Sequence, residues 1–212
     1  MTSSRSVEDR LRAEYFDLVP DMQRALVALD SEVRHHLLPI RVSLHRYEQV
    51  RIVARMKECA SAIDALRRRQ EGRVFDPDKR EAYSLLNLRD LVAARVLAFP
   101  SQRIVDVHEA LLPMLSAWTS DPVLGVKPSD PPIATKYYGH CKQGPTTITS
   151  EIQIVSSLIG SFWEVEHSAL YKTSPNLQGV MASESMTDRL SAVHAALRDF
   201  ENEFERLISE ST

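Results

Sequence analysis

Apolar residues recur at steps of three and four through the first forty positions. Val7, Leu11, Tyr15 and Leu18 form one stripe, and Met22, Leu26, Leu29, Val33 and Leu37 form another, the spacing of a helix that buries one face. Proline suits a helix start and not a helix interior, so Pro20 predicts two helices parted there, with Pro39 ending the second. Residues 50–53 read as a short strand leading into Arg55. Residues 57–69 read as a helix with Ile63 and Leu66 inward. The polar stretch 70–79 reads as a loop.

From Leu91 to Phe99 the chain is almost unbroken in apolar residues and is bounded by Pro100, the pattern of a buried strand. Ser101 is placed to cap a helix over residues 102–118, with Ile104, Val107, Leu111 and Leu115 as its core stripe. Pro, Gly and Asp crowd residues 121–132, which therefore read as loop. Strands follow near 133–138 and 146–155, and then a helical run from Ser161 to Lys172. Residues 175–183 read as a linker. A last amphipathic helix carries Leu190, Val193, Leu197, Phe200, Phe204 and Leu207. Strands alternating with helices, flanked by helices at both ends, predict an α/β (α+β) fold around a mixed sheet. The expected division is a helical extension over 1–46, a core over 47–174, and a linker with a C-terminal amphipathic helix over 175–212.

Composition changes this picture only by exclusion. With 43% apolar and 26% charged residues, the chain is neither a disordered nor a membrane-inserted type. A net charge of -3 opposes bulk polyanion binding while leaving room for a local basic patch. Two cysteines, Cys59 and Cys141, are too few and too far apart for a disulfide framework or a metal knuckle. The opening residues Met1-Thr-Ser-Ser-Arg-Ser lack the apolar segment of a signal peptide. A cytoplasmic protein is expected.

Four segments hold candidate chemistry. Arg55-x-Lys57-x-x-x-Ser61 stands where a strand meets a helix, so its cations join a helix N-terminus that already favours phosphate; the plainer alternative is a solvated basic face. Asp90, at the mouth of the buried strand, is either a hard-cation ligand or a turn cap, with Arg95 five residues on. The run Lys136-Tyr137-Tyr138-Gly139-His140-Cys141 offers rings for stacking a purine and a histidine for its phosphates, or else an edge strand with a turn glycine. In Ser150-Glu151-Ile152-Gln153-Ile154, alternation puts Glu151 and Gln153 on one face and the isoleucines on the other. A carboxylate and an amide so placed can hold a metal or a hydroxyl. On the helix that follows, Glu164, His167 and Tyr171 share a face.

Taken in this order, the segments resemble the synthetase domain of the RelA/SpoT family, over roughly residues 51–172. The resemblance implies a nucleotidyltransferase-like mixed sheet and a small, single-domain synthetase of the alarmone (p)ppGpp, or a relative of one. It implies that Arg55, Lys57, Ser61 and Arg95 bind ATP, the two arginines enclosing adenine. It implies that Asp90 and Glu151 bind Mg²⁺, with Glu151 also taking the proton from the attacking hydroxyl. Tyr137, His140, Gln153 and His167 would meet the acceptor nucleotide. Between Tyr137 and Tyr138, and between His140 and Cys141, the register stays open. His167 either orients the strand carboxylate or caps a polar face. The chain departs from the family pattern at Ala65, where a lysine is usual, and at Val155, where an arginine is usual.

The implied reaction moves a pyrophosphoryl group from ATP to the 3′-hydroxyl of GDP or GTP and releases AMP. Two alternatives change the outcome. A toxic relative would modify the 3′ end of tRNA, with Arg67-Arg68-Arg69, Arg73, Lys79 and Arg80 as its basic surface, or make an adenosine alarmone. A non-catalytic relative would bind nucleotide without transfer. Family likeness further implies a homo-oligomer. Neither a membrane nor DNA is expected as a partner.

Overall fold

The computed structural model describes residues 2–141, 145–166 and 183–211. Helix α1 (Thr2–Val42) is followed by β1 (Gln49–Met56), α2 (Cys59–Arg68), three short 3-10 turns, β2 (Val92–Phe99), α3 (Arg103–Leu115), β3 (Thr119–Val123), β4 (Ala134–Cys141), β5 (Ile148–Ser156), α4 (Ser157–Glu166) and α5 (Glu184–Ser211). The five strands form one sheet in the order β1-β2-β5-β4-β3. Only the central β2–β5 pair is parallel; the other neighbours are antiparallel. The sheet is therefore mixed, as the sequence pattern predicts.

The expected break at Pro20 does not occur. Pro20 and Pro39 both lie inside a single helix of 41 residues. Val7, Leu11, Tyr15, Leu18, Met22, Ala25, Leu29, Val33 and Leu37 are all buried on its inner face. A proline inside a helix costs about 3 kcal/mol, whereas each large apolar side chain buried returns roughly 1.5–3 kcal/mol. Packing wins, and the two stripes are one stripe whose phase runs through the proline without a reset.

Strand alternation sorts the sheet into two faces. Val50, Ile52, Val92, Ala94, Val96, Ala98, Ile148, Ile152 and Ile154 join α1 and α3 in the main core. The other face is closed at one end only. There Leu97, Ile133, Ala134, Val155 and Ile159 make a second cluster beneath α4, with Leu197 of α5 packed against it. Gly160 is what lets α4 come so near, since a Cβ there would stand 2.5 Å from Leu97 Cδ2. The opposite end of this face stays open and forms the cleft described below.

Three further expectations are corrected. Residues 121–123 are not loop but part of β3, where Pro122 is tolerated because β3 is an edge strand. Ser101 does not cap α3 with its side chain. Its hydroxyl donates to Glu205 Oε1 at 3.0 Å, and the Gln102 N–H donates to the same oxygen at 2.7 Å, so a carboxylate from α5 caps α3 instead. On α5 only part of the apolar stripe faces inward: Leu190, Leu197 and Phe204 are half-buried. Val193, Phe200 and Leu207 are largely exposed, while His194 and Glu201 are buried. The helix is seated by the Glu205 carboxylate and by Leu197 on the second cluster, with Phe204 against Phe99 at 5.1 Å between ring centroids.

Burial, with the neighbouring Glu205 charge adding to it, pushes the Glu201 carboxyl up to about 7; Ser156, Leu158 and Ser101 offset this in part. A carboxyl raised on folding is still protonated in the folded state at pH values where the unfolded chain has already released that proton. Its stabilising contribution is therefore complete below the unfolded pKa and is lost as pH rises toward 7. Replacement by glutamine removes this term. The stability of Glu201→Gln relative to the parent should improve by about 2 kcal/mol between pH 5 and pH 8. Denaturant titrations at the two pH values measure it, and a gap that does not change with pH contradicts the assignment.

Candidate active site

The open end of the sheet holds a cleft of about 660 Å³ lined by Arg55, Lys57, Ala65, Arg68, Arg69, Arg89, Asp90, Arg95, Lys136, Tyr138, Glu151, Gln153 and Trp163. Strand register explains the meeting. Across the parallel pair Ala93 stands opposite Glu151 and Arg95 opposite Gln153, and across the antiparallel pair Tyr138 faces Glu151 and Lys136 faces Gln153. Arg55 comes from the end of β1, opposite Ala93. The Lys57 N–H donates to Leu91 O at 2.8 Å, tying the turn before α2 to the mouth of β2. Asp90 sits at that mouth.

The polar groups are chained together. Lys57 Nζ donates to Asp90 Oδ2. Gln153 Nε2 donates to Glu151 Oε1 and its Oε1 accepts from Arg95 Nε at 2.8 Å. Lys136 Nζ lies 3.7 Å from Glu151 Oε2. Glu151 is 3% exposed and Gln153 5%, so these contacts are what make a buried carboxylate tolerable. Burial lifts the Tyr138 phenol well above its ordinary range. The Glu151 charge and a hydrogen bond to that carboxylate add to the effect, and Asp90 contributes as well. Tyr138 therefore remains a neutral donor to Glu151. Burial works against the Arg95 charge, while Glu164 and Glu151 support it.

Helix α4 closes one flank. The Trp163 ring has Arg95 Cζ at 5.1 Å and Lys136 Nζ at 5.5 Å from its centroid, distances at which a ring face attracts a cation. Trp163 is thus a wall of the cleft. Its apolar side still packs on the second cluster. Lys136 and Arg89 also escaped notice. Strand alternation could have found Lys136, since it shares the face of Glu151. No local pattern marks Arg89, whose Cζ stands 5.6 Å from the Tyr138 ring centroid.

The sequence candidates divide. Arg55, Lys57, Asp90, Arg95, Glu151 and Gln153 are brought together. Ser61 lies in the first turn of α2, outside the cleft lining. Tyr137 does not reach the cleft. It pairs with Ile152 and so points to the core side, where its hydroxyl meets His108 Nδ1 at 3.0 Å. Tyr138 lines the cleft instead. His140 is on the cleft face but further along, 3.4 Å from Thr149 Oγ1. Cys141 is buried. His167, Tyr171 and Lys172 lie outside the described residues.

Both departures from the family pattern have a local account. Ala65 lines the cleft, and one turn further Arg68 and Arg69 line it too, so cations stand near position 65. Val155 is fully buried among Leu97 and Ile159 beneath α4, a place with no opening to the cleft. The basic run considered for tRNA is largely compensated. Arg67 pairs with Glu8 at 2.7 Å, Arg68 with Asp64 at 3.0 Å, Lys79 with Asp76 at 3.3 Å and Arg80 with Glu81 at 3.7 Å.

For a metal, the available donors are the two carboxylates, Asp90 and Glu151. Among the described residues no group of three or more His, Cys, Asp or Glu side chains is placed to hold an ion. Two carboxylates, with water and phosphate oxygens completing the shell, are the usual terms on which Mg²⁺ binds, so the donor set fits that ion. Among the described residues no helix is long and apolar enough to cross a membrane.

No protein-family model matches the chain, and neither does any curated protein sequence. Solved structures do. A GTP pyrophosphokinase family protein from Streptococcus pneumoniae superposes with a TM-score of 0.62 at 20% identity, over 93% of this chain and 96% of that one. Small alarmone synthetase 1 from Bacillus subtilis bound to its product pppGpp gives 0.61 at 19% identity, over 92% and 96%. The same enzyme bound to AMPCPP gives 0.57 at 18%, over 92% and 97%. The chain has the fold of the small alarmone synthetases.

Seven basic side chains against two carboxylates give the cleft a charge balance that favours a polyanion. Inorganic tripolyphosphate should raise the melting temperature by several degrees in low salt, and the gain should fade above about 0.5 M salt. The double change Arg68→Ser with Arg69→Ser should at least halve it. Thermal unfolding with and without the anion tests this, and a tripolyphosphate shift that ignores both salt and the double change contradicts it.

Proposed function

We propose that this protein is a pyrophosphokinase of the small alarmone synthetase type. It transfers the pyrophosphoryl group of ATP to the 3′-hydroxyl of GDP or GTP, releasing AMP and making (p)ppGpp. The observation that carries this reading is the β2–β5 register. It puts Asp90 and Arg95 beside Glu151 and Gln153 in a fold that other proteins use while bound to pppGpp or AMPCPP.

The chemistry follows from the placement. ATP enters the cationic half, where Lys57, Arg68 and Arg69 meet its phosphates and Arg55 and Arg95 stand by the base. Trp163 backs Arg95 and keeps its guanidinium from drifting. Asp90 and Glu151 would hold Mg²⁺, which supplies charge neutralisation on the phosphates. The acceptor 3′-oxygen attacks the β-phosphorus in line, the bond from that phosphorus to the α-phosphate bridging oxygen breaks, and AMP leaves. Glu151 accepts the hydroxyl proton. Tyr138 and Gln153 donate to that carboxylate and hold its orientation. Rate enhancement here comes from positioning and from cations placed in advance.

Purified protein with Mg²⁺ and ATP should yield a 3′-pyrophosphorylated guanosine nucleotide and equal AMP, read by mass, when given GDP or GTP, and no pyrophosphorylated product when given deacylated tRNA or no further acceptor. Asp90→Ala and Glu151→Ala should each lower the rate by a factor of about 100 or more while leaving circular dichroism and melting temperature near those of the parent. Product on tRNA alone moves the protein to RNA modification. Near-parental rates in either variant sink the assignment of the carboxylates.

A further inference from the structure

Among the described residues, five buried polar atoms have no hydrogen-bond partner where α4 and α5 meet. They are Glu166 Oε2, both ring nitrogens of His194 and both carboxyl oxygens of Glu201. Buried polar groups are nearly always paired, so five at one junction mark an interface that is under-satisfied when closed. The Ser156 hydroxyl and the Leu158 N–H, from the β5–α4 junction, face Glu201, as do the Ser101 hydroxyl and, from α5 itself, Glu205. None of them closes a hydrogen bond of ordinary geometry to its carboxyl. His194 faces Glu166 of α4 at 3.6 Å, Asp130 of the β3–β4 loop and Arg198 of α5.

Much of the remaining seat of α5 is polar as well. Asp188 Oδ1 meets Lys127 Nζ at 2.7 Å, Ser191 Oγ donates to Asp130 Oδ1 at 3.0 Å, and Arg198 donates to Pro131 O at 2.9 Å. The apolar part rests on half-buried side chains, Leu197 and Phe204 among them. A helix held with so little apolar burial opens more readily than one seated in a core. Opening reaches the cleft through α4. That helix meets the sheet through Ile159, Gly160 and the apolar side of Trp163, and its Phe162 ring stands 5.3 Å from the His194 ring of α5. It holds Arg95 twice, by the Trp163 ring at 5.1 Å and by Glu164 Oε2 at 3.9 Å, and it holds Lys136 by the same ring.

We propose that α5 is a latch on the cleft, with Glu201 as a positioning residue that acts through α4. Docked, α5 keeps α4 seated so that Trp163 holds Arg95 and Lys136 in place; released, it lets them go. The inference rests on the pyrophosphokinase reading only for ATP as the ligand of the cleft. A proton sets the latch. In the docked state the Glu201 carboxyl keeps its proton up to about pH 7, whereas in water it returns to the ordinary glutamate range. Docking is therefore favoured at low pH and weakens as pH rises toward 7. Burial moves the Glu166 carboxyl in the same direction and works against a charge on His194.

Hydrogen exchange of the full chain at pH 6 and pH 8.5, corrected for intrinsic rates and read by mass on α4 and α5 peptides, makes the test. Titration of an α,β-methylene analogue of ATP accompanies it. The equilibrium constant for α5 opening should rise about tenfold between the two pH values, and α4 protection should fall with it. Glu201→Gln, neutral at both, should cut that rise to about threefold or less. Analogue affinity of the parent should fall relative to that of Glu201→Gln, a comparison that cancels the titration of the analogue itself. Phe204→Ala, outside the cleft lining, should open α5 at both pH values and lower α4 protection and analogue affinity together. An α5 opening that ignores pH, or a rise that Glu201→Gln keeps in full, overturns the role of Glu201. If α5 opens in the parent and in Phe204→Ala while α4 stays protected, the latch is wrong. If α4 follows α5 but analogue affinity does not, the link to the cleft is wrong. If no analogue binds at either pH, the ATP reading fails, and α4 exchange still decides the latch.

Discussion

Everything at the cleft depends on two parallel strands meeting in one register. With Ala93 opposite Glu151 and Arg95 opposite Gln153, a carboxylate and an amide from β5 fall beside an arginine from β2 and the aspartate just before it. A slip by one residue would turn Glu151 into the α1–α3 core and bring Ile152 into the cleft. The register is locked from the other side of the sheet, where Val92, Ala94, Val96, Ile152 and Ile154 are packed into the main core. Apolar burial on one face thus fixes the geometry of the cleft on the other.

That arrangement creates an electrostatic problem which the neighbouring elements solve. Cations gathered at the cleft repel one another, and a carboxylate at 3% exposure is costly unless paired. Lys57 answers Asp90, and Lys136, Gln153 and Tyr138 answer Glu151. The Trp163 ring takes Arg95 and Lys136 together. Helix α4, which presents Trp163, can lie low on the sheet because Gly160 has no side chain. Its seating also involves α5, through Leu197 at the shared cluster and His194 Nε2 at 3.6 Å from Glu166 Oε2. The helices outside the chemistry are therefore part of what shapes it.

Much of this was legible before any coordinates. Period-two alternation at Glu151-Ile152-Gln153-Ile154 told which side chains share a face, and the apolar run through Arg95 told that this strand is buried. The tyrosine pair was not legible, because alternation fixes relative faces along β4 but not which of the two faces is buried. Pairing with β5 decides it, and that is a long-range contact. Arg68 and Arg69 looked like surface charge because their use depends on how α2 lies over the sheet. Pro20 misled for a different reason: a local penalty of about 3 kcal/mol was weighed without the continuous stripe that outweighs it. On α5 the apolar stripe drew attention from the buried Glu201 and from Glu205, whose capping of α3 exists only across the tertiary interface.

The central claim is that one register-defined cleft binds ATP through its cations and through a divalent ion held by Asp90 and Glu151. Calorimetric titration of an α,β-methylene analogue of ATP, with and without Mg²⁺, addresses it most directly because it needs neither acceptor nor turnover. The account predicts single-site binding that weakens by about tenfold or more when Mg²⁺ is withheld and loses that dependence in Asp90→Ala. A folded protein that binds the analogue equally well with and without Mg²⁺, or does not bind it, contradicts the account.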